Sequence, residues 1–137
     1  MLRYVMPVVI ALAFIVVNSL IPEPHRRSFN ALLIAGAGGT YISGGAFGLG
    51  ELAFSAVMLV VAYFGLRSWT FIGIGWLLHT GWDIVHHLKG QPILPFAHDS
   101  SFGCALCDPV IAIWCFTGGR PVPSWRRVGA PPPGVPG

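Results

Sequence analysis

The apolar residues of this chain come in long unbroken blocks, and that pattern constrains the fold more than any other feature. Five blocks run from Tyr4 to Ile21, Asn30 to Ser43, Glu51 to Leu66, Trp69 to Leu88, and Ser101 to Thr117. A helix needs about 20 mostly apolar residues to cross roughly 30 Å of hydrocarbon, whereas a membrane β-barrel would alternate apolar and polar residues. Charged residues make up only 9% of the 137, against about 25% in an ordinary soluble domain. A water-soluble monomer is thereby excluded, and the chain is expected to be an all-α integral membrane bundle of about five transmembrane helices.

The residues between blocks act as punctuation. Pro22 and Pro24, followed by His25, Arg26 and Arg27, end the first block; Arg67 ends the third; Lys89 and Gly90 end the fourth; Gly118, Gly119 and Arg120 follow the fifth. The second block is short and rich in glycine (Gly36, Gly38, Gly39, Gly44, Gly45), which lets neighbouring backbones approach closely. No small-x-small cleavage site follows the first block, so it is expected to be a retained helix and not a signal peptide. Arg26, Arg27, Arg67, Arg120, Arg126 and Arg127 fall on one side of the resulting topology, and Arg3 and Lys89 on the other. The positive-inside rule then puts the carboxyl terminus in the cytoplasm and the amino terminus outside. The net charge of +3 calls for no nucleic acid, because the excess basic residues serve as topology signals beside anionic headgroups. Residues 1–118 form the membrane domain, and 119–137, with Pro121, Pro123, Pro131, Pro132, Pro133 and Pro136, form a tail expected to be disordered.

The polar residues gather at one end of this arrangement. Glu51, Asp83, Asp99 and Asp108, four of the five acids, share the outward half with His79, His86, His87 and His98, and with Cys104 and Cys107. Ionisable groups cost about 2.5 to 3.5 kcal/mol each inside a bilayer and usually face a bundle interior or cavity, so the concentration points to a site. His79, Asp83 and His86 stand at i, i+4 and i+7 on one helical face, with His87 one step round. Two imidazoles and a carboxylate so placed suit zinc, copper or iron; the same residues also suit a hydrogen-bonded structural network or proton handling.

The second constellation is Cys104-x-x-Cys107-Asp108-Pro109. Ser100 or Ser101 is placed to cap the helix that carries it. Cys104 and Cys107 can be a disulfide or redox pair, further ligands to the same metal, or small buried residues. Pro109 removes a backbone donor beside them. Pro92 and Pro95 prevent helix between the two constellations, so Lys89 to His98 is expected to cap the bundle and bring His98 and Asp99 over helices four and five.

As a set, Leu77-Leu78-His79, Trp82-Asp83, His86-His87, Gly90-x-Pro92 and Gly103-Cys104-x-x-Cys107-Asp108-Pro109, with Val17-Asn18-Ser19-Leu20-Ile21-Pro22 and Glu23-Pro24-His25-Arg26-Arg27-x-Phe29-Asn30 before them, have a wider likeness. The chain resembles an uncharacterised family of small bacterial multi-pass membrane proteins, a domain of unknown function, over nearly all of residues 1–118. The resemblance implies one domain in the bacterial inner membrane and brings no activity with it.

The expected site is a transition-metal centre near the outward face, held by His79, Asp83, His86, His87, Cys104 and Cys107. In an enzyme acting on a lipid-soluble substrate, Asp108 or Glu51 would be the acid–base group, or Glu51 would orient a histidine. The competing readings are a non-catalytic membrane-complex subunit or small transporter, and a thiol-disulfide protein working through Cys104 and Cys107. The expected partners are the lipid bilayer and either other membrane subunits or a second copy of the chain.

Overall fold

A computed structural model describes residues 1–42 and 47–122. Gly44 and Gly45 of the glycine-rich block, and the tail from Pro123 with Arg126 and Arg127, lie outside the described residues. The described chain is all-α: α1 (Leu2–Ser19), α2 (His25–Gly38), α3 (Leu49–Gly65), α4 (Trp69–Leu88) and α5 (Ser100–Phe116), with no strand among the described residues.

Four helices match the apolar blocks to within about two residues at each end, and α2 does not. It starts at His25, not Asn30, and stops at Gly38, not Ser43. Its start follows Pro24, a residue suited to the first turn because its missing N–H would have no partner there. Arg26 can belong to the helix because its side chain is folded inward, where Nη1 donates to the Ile21 carbonyl at 3.2 Å. Its stop falls among Gly36, Gly38 and Gly39, the poorest helix formers after proline. The carbonyls left over at that end are taken by hydroxyls, Ser55 donating to Gly38 at 2.6 Å and Thr40 to Ala37 at 2.7 Å.

The helices alternate in direction. At one end Arg3 of α1 meets Asp99 before α5 at 3.4 Å. At the other, Arg27 donates to the Leu66 carbonyl, Trp69 to Glu23, and the Val122 amide to the Ser19 hydroxyl. The central helix is α4, packed against α2, α3 and α5, while α1 lies against α5. Glycines set the closest approaches: a Cβ at Gly75 would stand 2.6 Å from Ile34 Cδ1, and one at Gly38 2.5 Å from Met58 Cβ.

Many large apolar side chains face outward, while several polar and ionisable ones are buried. Val5, Val9, Leu12 and Val16 of α1, Leu52, Leu59 and Tyr63 of α3, Leu77 and Ile84 of α4, and Ile113 of α5 are exposed. Asn18, Arg26, Asn30, Glu51, His79, Asp83, His86, Ser101 and Asp108 are buried beside the apolar core of Ile34, Met58, Ile72, Trp76 and Ile111. One helix among the described residues, α1, is both long and apolar enough to cross a membrane, with 18 residues at a mean hydropathy of 1.9. Helices α3 and α5 are apolar but have 17 residues each, and α4 has 20 but carries the histidines and Asp83.

Candidate metal centre

The polar stripe of α4 arises from its period. Residues 79, 83 and 86 recur on one face, and that face is turned toward α2, α3 and α5 because α4 is the central helix. His79 is the eleventh residue of α4, about 15 Å along the axis from Trp69 at 1.5 Å per residue, which places it at mid-helix. Asp108 occupies the middle of α5 opposite it.

His79, Asp83 and Asp108 converge there, all buried, with one possible ligand atom each and all three atoms within 4.8 Å of one another. The imidazole is fixed from both sides. Its Nε2 lies 3.0 Å from the Ala37 carbonyl and 3.4 Å from the Thr40 hydroxyl; a carbonyl only accepts, so Nε2 carries hydrogen and donates. Its Nδ1 lies 2.8 Å from Asp108 Oδ2 and 3.0 Å from Asp83 Oδ2. One ring nitrogen cannot satisfy two carboxylates, and the shortfall falls on Asp83: its Oδ2 has no hydrogen-bond partner, although the residue is 0% exposed. Its other oxygen accepts from the Tyr41 hydroxyl at 2.8 Å. Tyr41 is hydrogen-bonded in turn to Ser101 on α5.

Nearer the Leu88 end of α4, a second buried group forms around Glu51 and His86. Glu51 Oε1 is 2.7 Å from His86 Nε2, Glu51 Oε2 accepts from Trp82 Nε1 at 3.1 Å, and His86 Nδ1 donates to the Trp82 carbonyl at 2.8 Å. The Tyr41 ring stacks on His86 with centroids 3.7 Å apart, so this one residue touches both groups.

The donor set therefore differs from the one expected. His86 is seven residues from His79, about 10.5 Å along the axis, too far to share an ion with it, and it is bound to Glu51 instead. Glu51 thus contacts a histidine outside the three-residue centre. His87 lies off the stripe and packs on Phe102, with centroids 5.4 Å apart. Cys104 and Cys107 are free, half-buried thiols outside the centre, and Cys107 packs against the apolar core. Asp108, expected as an acid–base group, supplies a carboxylate oxygen to the centre. His98 and Asp99 are exposed, and Asp99 faces Arg3. Ser100 and Ser101 make no cap bond to α5; their hydroxyls accept from the Leu94 and Ile93 amides.

Sequence reasoning missed Tyr41, Thr40 and the Ala37 carbonyl. The available signal was a tyrosine and a threonine closing a glycine-rich block, at a depth where the neighbouring helices also carry polar residues.

A family match covers residues 2–121 of this chain. The chain belongs to DUF6010, a family of unknown function. No curated protein and no solved structure matches it. Membership in DUF6010 spans all five helices and the whole of the His79, Asp83 and Asp108 centre, and it carries no assigned chemistry to those residues.

Proposed function

We propose that this member of DUF6010 is a multi-pass protein of the bacterial inner membrane that binds a divalent transition metal between α2, α4 and α5. The observation that carries the reading is Asp83 Oδ2, a fully buried carboxylate oxygen without a hydrogen bond, beside an imidazole nitrogen already engaged by Asp108. Leaving such a group unsatisfied costs about 1 to 3 kcal/mol, and more when it is charged. A cation bound by Nδ1 and the two Oδ2 atoms, taking the place of the proton between Nδ1 and Asp108 and releasing it to solvent, would remove that cost and offset the two carboxylate charges.

The residues fit such an ion. An imidazole whose other ring nitrogen donates to a backbone carbonyl is the usual arrangement of a metal-binding histidine, since the outer bond fixes the tautomer and aims the lone pair. One nitrogen and two carboxylate oxygens suit zinc or divalent iron, and the lack of sulfur disfavours Cu(I). Three protein donors leave a position open, as in catalytic zinc sites and unlike closed structural ones. The metal would supply a Lewis acid there, and the mid-helix depth favours a lipid-soluble substrate.

The membrane reading is supported by the apolar outer face and the buried ionisable groups. Extensive exposed apolar surface marks contact with a membrane or a partner, and intramembrane ionisable residues turn to the bundle interior.

Metal content of the full chain purified in detergent without chelators tests the centre. Near-stoichiometric zinc or iron is expected in the native protein, and little in Asp83→Asn or in His79→Ala with Asp83→Ala. Equal content in native and variant proteins, or none in either, overturns the reading.

A further inference from the structure

Asp83 holds its carboxylate in one orientation, and the cause lies outside the metal-binding atoms. Tyr41 donates to Oδ1 at 2.8 Å and leaves Oδ2 turned to His79 Nδ1 at 3.0 Å. Tyr41 is itself fixed at both its ring and its hydroxyl. Its ring stacks on His86 at 3.7 Å, which Glu51 holds at 2.7 Å. Phe47 packs edge-on against the same His86 ring, 4.9 Å between centroids, and steadies the platform on which the tyrosine rests. The Tyr41 hydroxyl meets Ser101, whose oxygen accepts from the Ile93 amide at 3.2 Å and lies 3.4 Å from the Gln91 carbonyl.

We propose that Tyr41 is the positioning residue of the centre, and that through Ser101 it ties the 89–99 segment to the coordination of the metal. This rests on the metal-binding reading of His79, Asp83 and Asp108. With Oδ1 engaged by the phenol, Asp83 is set to offer Oδ2 alone. A carboxylate released from that bond is free to turn both oxygens to the ion. The tyrosine thereby keeps the coordination number low and the fourth position open, as outer hydrogen bonds do at other metal sites. Ser101 acts one step further out, with its hydroxyl held by the backbone of the cap.

Cobalt(II) serves as the probe, because its visible bands are intense in four-coordinate sites and weak in five- or six-coordinate ones. The full chain in detergent is titrated with cobalt, and zinc affinity is measured by competition. Tyr41→Phe, which keeps the ring stacked on His86, is expected to bind cobalt with bands weakened several-fold and to lose roughly 10- to 100-fold in zinc affinity. Ser101→Ala is expected to shift both in the same direction by less. Tyr63→Phe, on the exposed outer face, is expected to match the native protein. A purely structural role for Tyr41 predicts lower thermal stability with an unchanged spectrum for the cobalt that is bound, and that result overturns the proposal. Unchanged spectrum and affinity in Tyr41→Phe overturn it too. A native protein that takes up no cobalt or zinc sinks the metal centre itself, a different outcome from a native centre that ignores the phenol.

Discussion

Glu51 and His86 show what a single side chain contributes in this interior. Both are no more than 2% exposed, and every polar atom of the pair has a partner: His86 on Glu51 and the Trp82 carbonyl, Glu51 on His86 and the Trp82 indole. A buried pair adds little net stability over well-packed apolar residues, but removing one partner strands the other at a cost of about 3 to 5 kcal/mol. Glu51→Ala is therefore expected to be destabilised by that amount in detergent unfolding, with Glu51→Gln losing less because the amide still offers an oxygen to Trp82. Since Glu51 is not among the three residues proposed to bind metal, Glu51→Gln is expected to match the native protein in metal content; a lower content without loss of fold would bring the second group into the site. The periodicity of α4 made the face shared by His79, Asp83 and His86 legible in the sequence. It also contained the reason they divide, since a seven-residue step is about 10.5 Å of helix. What the sequence could not supply was the partner of each, because Asp108, Ala37 and Glu51 reach the stripe from three other helices.

Among the elements, α2 departs furthest from its apolar block and sets the closest packing. Its glycines signal near contact between backbones, yet they divide by face. Gly38 abuts Met58, whereas a Cβ at Gly36 would have no neighbour within 4 Å. Gly38→Ala must push the root of the Met58 side chain, which cannot swing away as a side-chain tip can, and is expected to destabilise by about 1 to 3 kcal/mol. Gly36→Ala is expected to be neutral or stabilising by up to about 1 kcal/mol through helix propensity. Unfolding of the two variants side by side checks the orientation of α2, and equal effects would place its faces differently. Composition revealed the kind of packing and not its direction, because the face of a short helix with weak amphipathicity is chosen by what it meets. The thiols of α5 give a parallel case. Cys104 and Cys107 are half-buried and Cys115 is 0% exposed, so a small thiol reagent is expected to modify the first two in the folded protein and Cys115 only on unfolding. Zinc should leave that labelling unchanged, whereas strong protection of both by metal would return the cysteines to the centre.

For the whole molecule, the two ends of the bundle differ in their number of basic residues. Arg26, Arg27, Arg67 and Arg120 are at the end where α1 meets α2, where α3 meets α4, and beyond α5, while Arg3 and Lys89 stand at the opposite end. These ends follow from the alternation of the helices, and the contacts of Arg27 with Leu66 and of Trp69 with Glu23 hold the first of them together. On the proposed membrane reading the richer end is expected to face the cytoplasm, because translocating lysine and arginine across the membrane is disfavoured. In that orientation the polar centre would lie midway, and the Glu51–His86 group nearer the outer surface. A reporter active only in the cytoplasm, fused after Arg120 of the otherwise intact chain, is expected to be active, and one active only outside to be silent at the same position. The opposite pair of results would invert the bundle and turn the Glu51–His86 group inward. Activity after Arg120 should also fall if Arg26, Arg27 and Arg67 are replaced by Gln while lysines are added beside Arg3, since the rule acts on the balance between the two ends and not on any one residue. Orientation unmoved by that exchange would mean that something other than charge fixes the bundle in the membrane.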